Sequence, residues 1–431
     1  FLQIISIFII FTSYLSPDGH LYNPYRVDDT WFTSFIYNDY IKNITTDTVF
    51  GGNVKNGLGG THYFGKLYSF SYGLFADLYG SWSKSSLYIV SIFLLILSSF
   101  TWFFIARKLS YSVPVAFTVP LLMLIMPIFF IRSHSIRTEM FVLFFISIST
   151  LFLIYEMYSG ALLAGFIAVE THPVGLIFLF ISVPIFLSKI TNKKISRVDI
   201  SAAMLVSIAC IAIYFMLHPD GIKLFSEIDS STFHLSNNFI FEYYFSSKNW
   251  HTLPEFLLVF IASILYTRGF LTEKNNGLLG GILLCIILFS ILLNRSTNGI
   301  YIVLAYPIFI LIMVHAYHKN LPLFIAIIMF LSAPKLAYLS WQGLKLPDYG
   351  TEYKEKLLKI IPNDNLPVVG TPNDYWIFKD KEFYDLCHYM DYEKFQYNIH
   401  TEWLIIRPKA ILEKYYGLMN CKNYEKKKKK N

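Results

Sequence analysis

Two adjacent carboxylates, Asp28 and Asp29, follow Arg26-Val27 just beyond the first apolar run of the chain. A carboxylate held beside a reacting hydroxyl can take its proton. A second acidic position, Glu139, closes the run Arg132-Ser133-His134-Ser135-Ile136-Arg137-Thr138-Glu139, which sets two guanidinium groups and an imidazole ahead of it. Arginine suits a phosphate because its planar fork donates in parallel to two oxygens. Lys66 and Arg295 are weaker phosphate candidates on the same grounds. Farther on, Glu170-Thr171-His172-Pro173 interrupts an apolar run, so His172 is either a ligand contact or a buried histidine satisfied by a neighbour. Each residue has a plainer use as well. The acids can be solvated loop residues, and the cations can close loop ion pairs or meet lipid headgroups.

The elements that must position these groups are set by composition. Of 431 residues, 55% are hydrophobic and only 15% charged, too apolar for soluble domains of ordinary composition. The chain therefore reads as a polytopic α-helical membrane protein. Its 40 Phe and 31 Tyr suit lipid-facing helices and interfacial belts. The net charge of +7 is mostly the five lysines Lys426 to Lys430, which leave +2 for the rest; no nucleic-acid partner follows from it. The first run, 1–15, is shorter than the roughly 20 residues of a full span and reads as a clipped first helix, not a cleaved signal peptide. A polar loop then extends to about Tyr63, with the acidic pair inside it and a Gly-rich section from Gly51 to Gly60. Residues 63–70 mix aromatics with Lys66 and are expected to lie along the membrane interface.

Apolar runs recur at about 87–106, 113–131, 140–155, 200–217, 255–267, 278–293, 299–314 and 321–339. Between 161 and 188, Pro173 cannot continue a helical hydrogen-bond ladder, so two short helices are expected to meet at the polar corner. The total is about eleven spans. Arg107-Lys108, the basic residues of 189–197, Arg268 with Lys274, and Lys319 then share one side, which the positive-inside rule makes cytoplasmic. Asp28-Asp29, the 132–139 run, Glu170-Thr171-His172 and Asn294-Arg295-Ser296 fall on the opposite, extracytoplasmic side.

The division is thus a membrane domain over 1–339 and a small extracytoplasmic α/β domain over 340–431. In the latter, Glu352 to Ile361 reads as an amphipathic helix, and residues 366–372 as a short buried strand ending in a turn. The Lys-rich tail reads as disordered. Cys210 and Cys285 lie inside apolar runs, whereas Cys387 and Cys421 lie in the polar region and could pair if it faces an oxidising compartment. No CxxC or His-rich metal spacing occurs.

Several motifs, taken in order, resemble the GT-C superfamily of polytopic glycosyltransferases, especially the branch of protein O-mannosyltransferases and lipid A aminoarabinose transferases. Arg26-Val27-Asp28-Asp29 resembles that branch's acidic pair, with Asp-Asp where Asp-Glu is more usual. Thr61 to Tyr68 resembles its juxtamembrane segment, and Leu78-Tyr79-Gly80 the turn into the next span. Arg137-Thr138-Glu139 resembles the Arg-Pro-acid signature, with Thr in place of Pro. Thr171-His172-Pro173-Val174-Gly175 resembles the polar break, and Tyr301 with Tyr306-Pro307 a later span.

The resemblance implies a polyprenyl-phosphate-linked sugar donor and an extracytoplasmic acceptor, with inversion at the anomeric carbon. It implies Asp28 as the base, Asp29 and Glu139 as supporting acids, and Lys66, Arg137, Arg295 and His172 around the donor phosphate. Metal dependence stays open: Asp28, Asp29 and Glu139 could take a divalent cation, whereas a positively charged donor site makes one unnecessary. The acceptor is expected to be an envelope glycan such as lipopolysaccharide O-antigen, in a bacterial inner membrane. A protein O-glycosyltransferase is the nearest alternative. A lipid-linked glycan flippase would need the same spans and cationic cavity, but the internal repeats expected of one are absent.

Overall fold

The computed structural model describes residues 27–43, 65–82, 84–191, 195–217, 280–285, 301–345, 351–361, 366, 368–370, 374–381, 383–385 and 403–404. Two short helices, α1 (Val27–Tyr40) and α2 (Lys66–Tyr79), precede the long apolar ones. These follow as α3 (Lys84–Lys108), α4 (Val113–Ile125), α5 (Pro127–Ser133), α6 (Thr138–Ile154), α7 (Tyr158–Thr171), α8 (Ile177–Thr191) and α9 (Arg197–Leu217). Farther on, α10 (Tyr306–Tyr317) and α11 (Leu321–Lys345) are joined by a single 3-10 turn at His318–Asn320.

Three described helical stretches, Ser86–Lys108, Arg197–Leu217 and Tyr306–Ala337, are long and apolar enough to cross a bilayer. The bent pair α4 and α5 would make a fourth. Helices α6, α7 and α8 are apolar but shorter. The chain is an integral membrane protein. Its expected eleven spans include 1–15 and 255–267, which lie outside the described residues.

Within the bundle, α6 packs between α3 and α7, and α10 and α11 lie against α4. Some of the polar groups buried there tie helices together. Trp102 Nε1 donates to Ser147 Oγ at 2.8 Å, joining α3 to α6, and Ser149 Oγ donates to the Ala161 carbonyl at 2.7 Å, joining α6 to α7. In hydrocarbon such bonds have no water to compete with them. Large apolar side chains on the other faces, among them Phe93, Phe100 and Phe104 of α3 and Met204, Leu205 and Ile208 of α9, are exposed by the protein alone. Lipid is the solvent that suits them.

Two prolines set the bends. The residue before a proline is driven out of the helical region. Met126 accordingly takes φ −76° and ψ 129° ahead of Pro127, and α5 turns 59° away from α4. His172 takes φ −161° and ψ 137° ahead of Pro173, ending α7 where the sequence places the polar corner. A 3-10 turn (Pro173–Leu176) then leads into α8, so the two short helices expected over 161–188 are both present.

Beyond α11 lie α12 (Thr351–Ile360), β1 (Val368–Gly370), α13 (Tyr375–Phe378), β2 (Phe383–Asp385) and β3 (Trp403–Leu404). The strands form an all-parallel sheet in the order β2-β1-β3, with Val368 opposite both Phe383 and Trp403. Ile361, Val368, Tyr375, Phe378 and Phe383 make a small apolar core beneath it. The expected amphipathic helix and buried strand are both there. Cys387, Cys421 and the lysine tail lie outside the described residues.

The polar corner depends on one close approach. A Cβ on Gly175 would come within 2.3 Å of the carbonyl carbon and oxygen of Ala168 in α7. Backbone cannot swing aside as a side chain can. Gly175→Ala should therefore destabilise the bundle by about 1–3 kcal/mol, as overpacking does, and lower the thermal midpoint of the detergent-solubilised protein. An unchanged midpoint would show that the corner is looser than this contact requires.

Candidate active site

The acidic pair does not lie in an irregular loop. Asp28 and Asp29 occupy the first turn of α1, where carboxylates complement the helix dipole; their side chains lie outside the described residues. The helix exists because Phe32, Phe35 and Ile36 recur at helical spacing and are each at most 2% exposed. They press α1 onto α2, with the Phe32 ring edge-on to Tyr68 at 6.3 Å between centroids. One turn beyond Phe35 and Ile36, Asp39 completes the contact. Its two carboxylate oxygens accept from the Lys66 ammonium and from the Ser69 hydroxyl.

Lys66 begins α2 and is held twice. Its side chain pairs with Asp39, while its backbone N–H donates to Glu170 Oε1 at 2.7 Å. Gly65 makes this possible. Its N–H donates to the Thr171 carbonyl at 3.1 Å, and any Cβ there would fall 2.0 Å from Glu170 Oε2. The C-terminal end of α7 thereby caps the N-terminal end of α2, satisfying two donors that a helix start leaves without partners. His172 bonds within its own turn, where its Nδ1 accepts from the Val174 N–H at 3.1 Å. That bond requires Nδ1 to be unprotonated.

Arg137 and Glu139 form the third part. Arg137 Nε donates to Glu139 Oε1 at 2.9 Å, and its guanidinium lies 5.3 Å from the centroid of Phe32 in α1. This cation-π contact brings the α5–α6 elbow to the helix that carries the acidic pair. Asp28 precedes Phe32 by one helical turn. Glu139 is 1% exposed, and its Oε2 has no hydrogen-bond partner among the described residues. The elbow is polar throughout yet buried: Ser133, His134 and Ser135 are all inside. His134 Nδ1 is 2.8 Å from the Phe130 carbonyl, to which it donates. Tyr72, Ser91 and the Ser135 carbonyl form a buried chain of hydrogen bonds at 2.8 and 2.9 Å, fixing the elbow to α2 and α3.

Lys66, Glu170, His172, Arg137 and Glu139 thus meet around α1 and α2 at one end of the bundle, the end at which α6 begins and α7 finishes. Arg295 lies outside the described residues. Sequence reasoning missed Asp39 and left Glu170 without a role. The signal for Asp39 was its helical spacing from Phe32, Phe35 and Ile36. Among the described residues, no group of three His, Cys, Asp or Glu side chains converges as metal ligands would.

No family model matches the sequence, and no curated protein does. Solved structures match the fold. ArnT from Cupriavidus metallidurans in the apo state superposes with a TM-score of 0.63 at 11% identity, over 96% of this chain and 93% of that one. The same enzyme bound to undecaprenyl phosphate gives 0.60 at 12% identity, over 89% and 85%. The apo oligosaccharyltransferase of Archaeoglobus fulgidus gives 0.55 at 12%, over 89% of this chain but 64% of its own. The chain shares the fold of these structures. At these identities the likeness is one of architecture.

The Asp39–Lys66 pair makes a direct test of how the fold holds this end. Asp39 is 6% exposed and Lys66 is 35% exposed at the side chain, so removing the lysine strands a nearly buried carboxylate. Lys66→Met should cost about 1–3 kcal/mol, less than a fully buried pair would because the lysine is partly solvated. Asp39→Asn in the same chain should recover much of it. Thermal midpoints of the single and double variants measure this coupling; additive losses would mean that the two charges do not act as a pair.

Proposed function

We propose that the protein is a membrane glycosyltransferase that moves a sugar from a polyprenyl-phosphate donor to an extracytoplasmic acceptor with inversion. The observation that carries this reading is the grouping of Lys66 and Arg137, two cations each held by a carboxylate, around the helix that starts with Asp28 and Asp29. The fold match to ArnT bound to undecaprenyl phosphate supports the donor class.

A polyprenyl phosphate is already a competent leaving group. The protein must supply a base, cations and a site poor in water. In the proposed step Asp28 takes the acceptor hydroxyl proton as the acceptor oxygen bonds to the anomeric carbon from the face opposite the phosphate. The anomeric C–O bond breaks, and both its electrons leave with the polyprenyl phosphate. Lys66 and Arg137, with His172 and, as the sequence suggests, Arg295, stabilise the charge that grows on the phosphate oxygens. Asp29 supports Asp28. Glu139 orients Arg137 by accepting from its Nε. A divalent cation could assist at the acids but would have no necessary part, since the donor site is already cationic.

We assign the membrane domain to 1–339 and an extracytoplasmic domain to 340–431, in a bacterial inner membrane, with an envelope glycan such as O-antigen as acceptor. Of the aromatic residues there that could stack on a sugar, Tyr375 is 1% exposed and belongs to the small core. Trp376 packs against the membrane bundle instead.

Purified full-length protein with a panel of polyprenyl-phosphate sugars tests the reaction. Wild type should release polyprenyl phosphate and glycosylate an envelope glycan, and Asp28→Asn should keep donor binding while losing transfer on the order of 100-fold or more. Transfer to protein alone would move the acceptor class, whereas donor binding without transfer to any acceptor would favour the flippase. Topology has its own test. Cysteines at exposed Ile41 and Lys359 should both react with an impermeant thiol reagent in intact cells, and labelling of only one would overturn the shared side.

A further inference from the structure

The described C-terminal residues 374–381 lie along α1 for three turns, beginning one residue after the acidic pair. Trp376 Nε1 donates to Thr30 Oγ1 at 3.3 Å. The Tyr37 hydroxyl donates to the Asp380 carboxylate, and Lys42 Nζ donates to the Lys379 carbonyl at 3.2 Å. The ammonium groups of Lys379 and Lys42 stand 5.0 and 5.5 Å from the centroid of the Tyr37 ring, and Trp82 meets that ring edge-on at 4.9 Å. Tyr37 is therefore gripped at its hydroxyl, its ring and its edge. Burial pushes the Asp380 carboxyl up, but the Tyr37 hydroxyl and Lys379 outweigh it and hold it below the ordinary carboxylate range. The charged form is the one that the contact favours.

A helix of 14 residues has little stability of its own in water. What holds α1 is its two packed faces. One face lies on α2 through Phe32 and Asp39, and the other lies against residues contributed from more than 300 positions later in the chain. We infer that the C-terminal segment is a working part of the reaction centre: Trp376 and the Tyr37–Asp380 contact are positioning residues that hold α1, and with it the acidic pair, against Arg137 and Lys66. The inference rests on the proposed role of the acidic pair, and it extends that role by making turnover depend on a segment that acts through α1.

Misplacing a catalytic group by about 1 Å from a distance can cost on the order of 100-fold in rate. Donor binding should suffer less than turnover, because Arg137 keeps Glu139, which belongs to α6, whereas the Asp39 partner of Lys66 belongs to α1 itself.

The experiment uses the full-length protein in detergent, carrying Tyr37→Phe, Asp380→Ala, both together, Asp380→Asn, or Trp376→Ala. Tyr37→Phe keeps the ring and its cation contacts and loses only the hydroxyl, whereas Asp380→Asn keeps an oxygen that can accept from it. Hydrogen–deuterium exchange over 27–40 should rise in Tyr37→Phe, Asp380→Ala and Trp376→Ala, with exchange over 84–154 unchanged. In the same variants kcat should fall between about 10- and 100-fold with a smaller change in donor KM, the double variant should be no worse than Asp380→Ala, and Asp380→Asn should recover most of the loss. Unchanged exchange over 27–40, or increased exchange with kcat intact, would overturn the inference. If wild type transfers no sugar, exchange still decides whether the segment holds α1: a rise there with no wild-type turnover sinks the catalytic reading alone.

Discussion

Charge that must stay paired is the constraint on which the polar end of this protein depends. Lys66 and Arg137 sit where apolar helices close over them, and each is matched by a carboxylate, Asp39 and Glu139. An isolated charge moved out of water would cost several kcal/mol even after the protein relaxes. The pairs do more than neutralise. Asp39 belongs to α1 and Lys66 to α2, so satisfying the charge also joins the helices. Arg137 reaches the same helix through the face of Phe32.

Backbone groups impose a parallel demand. Helix ends leave donors and acceptors without partners, and near a bilayer there is little water to take them. Here the end of α7 serves the start of α2: Glu170 and the Thr171 carbonyl accept from Lys66 and Gly65. The arrangement works only because Gly65 has no side chain to strike the carboxylate. Pro173 stops α7 at the right residue, and Pro127 turns α5 so that the elbow carrying Arg137 and Glu139 opens at the same end. Sequence-local breaks thus deliver groups that are distant in the chain to one region.

Those pairings also limit what the cations can do. Each has its orientation set before any ligand arrives, which suits electrostatic stabilisation, because little reorganisation is then left for the moment of reaction. Lys66 retains 35% exposure at its side chain, which the proposed phosphate contact would require while the pair stays intact. A cation buried completely by its partner would have been structural only.

Much of this was readable in the residues. Apolar runs and basic loops announced a polytopic helical protein, Pro173 announced the break, and the short GT-C-like motifs pointed to the fold that the solved structures then matched. Helix α1 was not read, because its Phe32, Phe35, Ile36 and Asp39 lie in a stretch whose polar neighbours mask the spacing, and its stability comes from packing rather than propensity. The sequence by itself determined which residues could be charged, where helices must stop, and which segments belong to lipid, since these follow from side-chain chemistry and local backbone sterics. Only the tertiary structure decided that Lys66 answers to Asp39, that Glu170 caps α2, and that Asp380 reaches Tyr37. Such partners are chosen by proximity across 27, 104 and 343 positions, and no local rule of spacing carries that information.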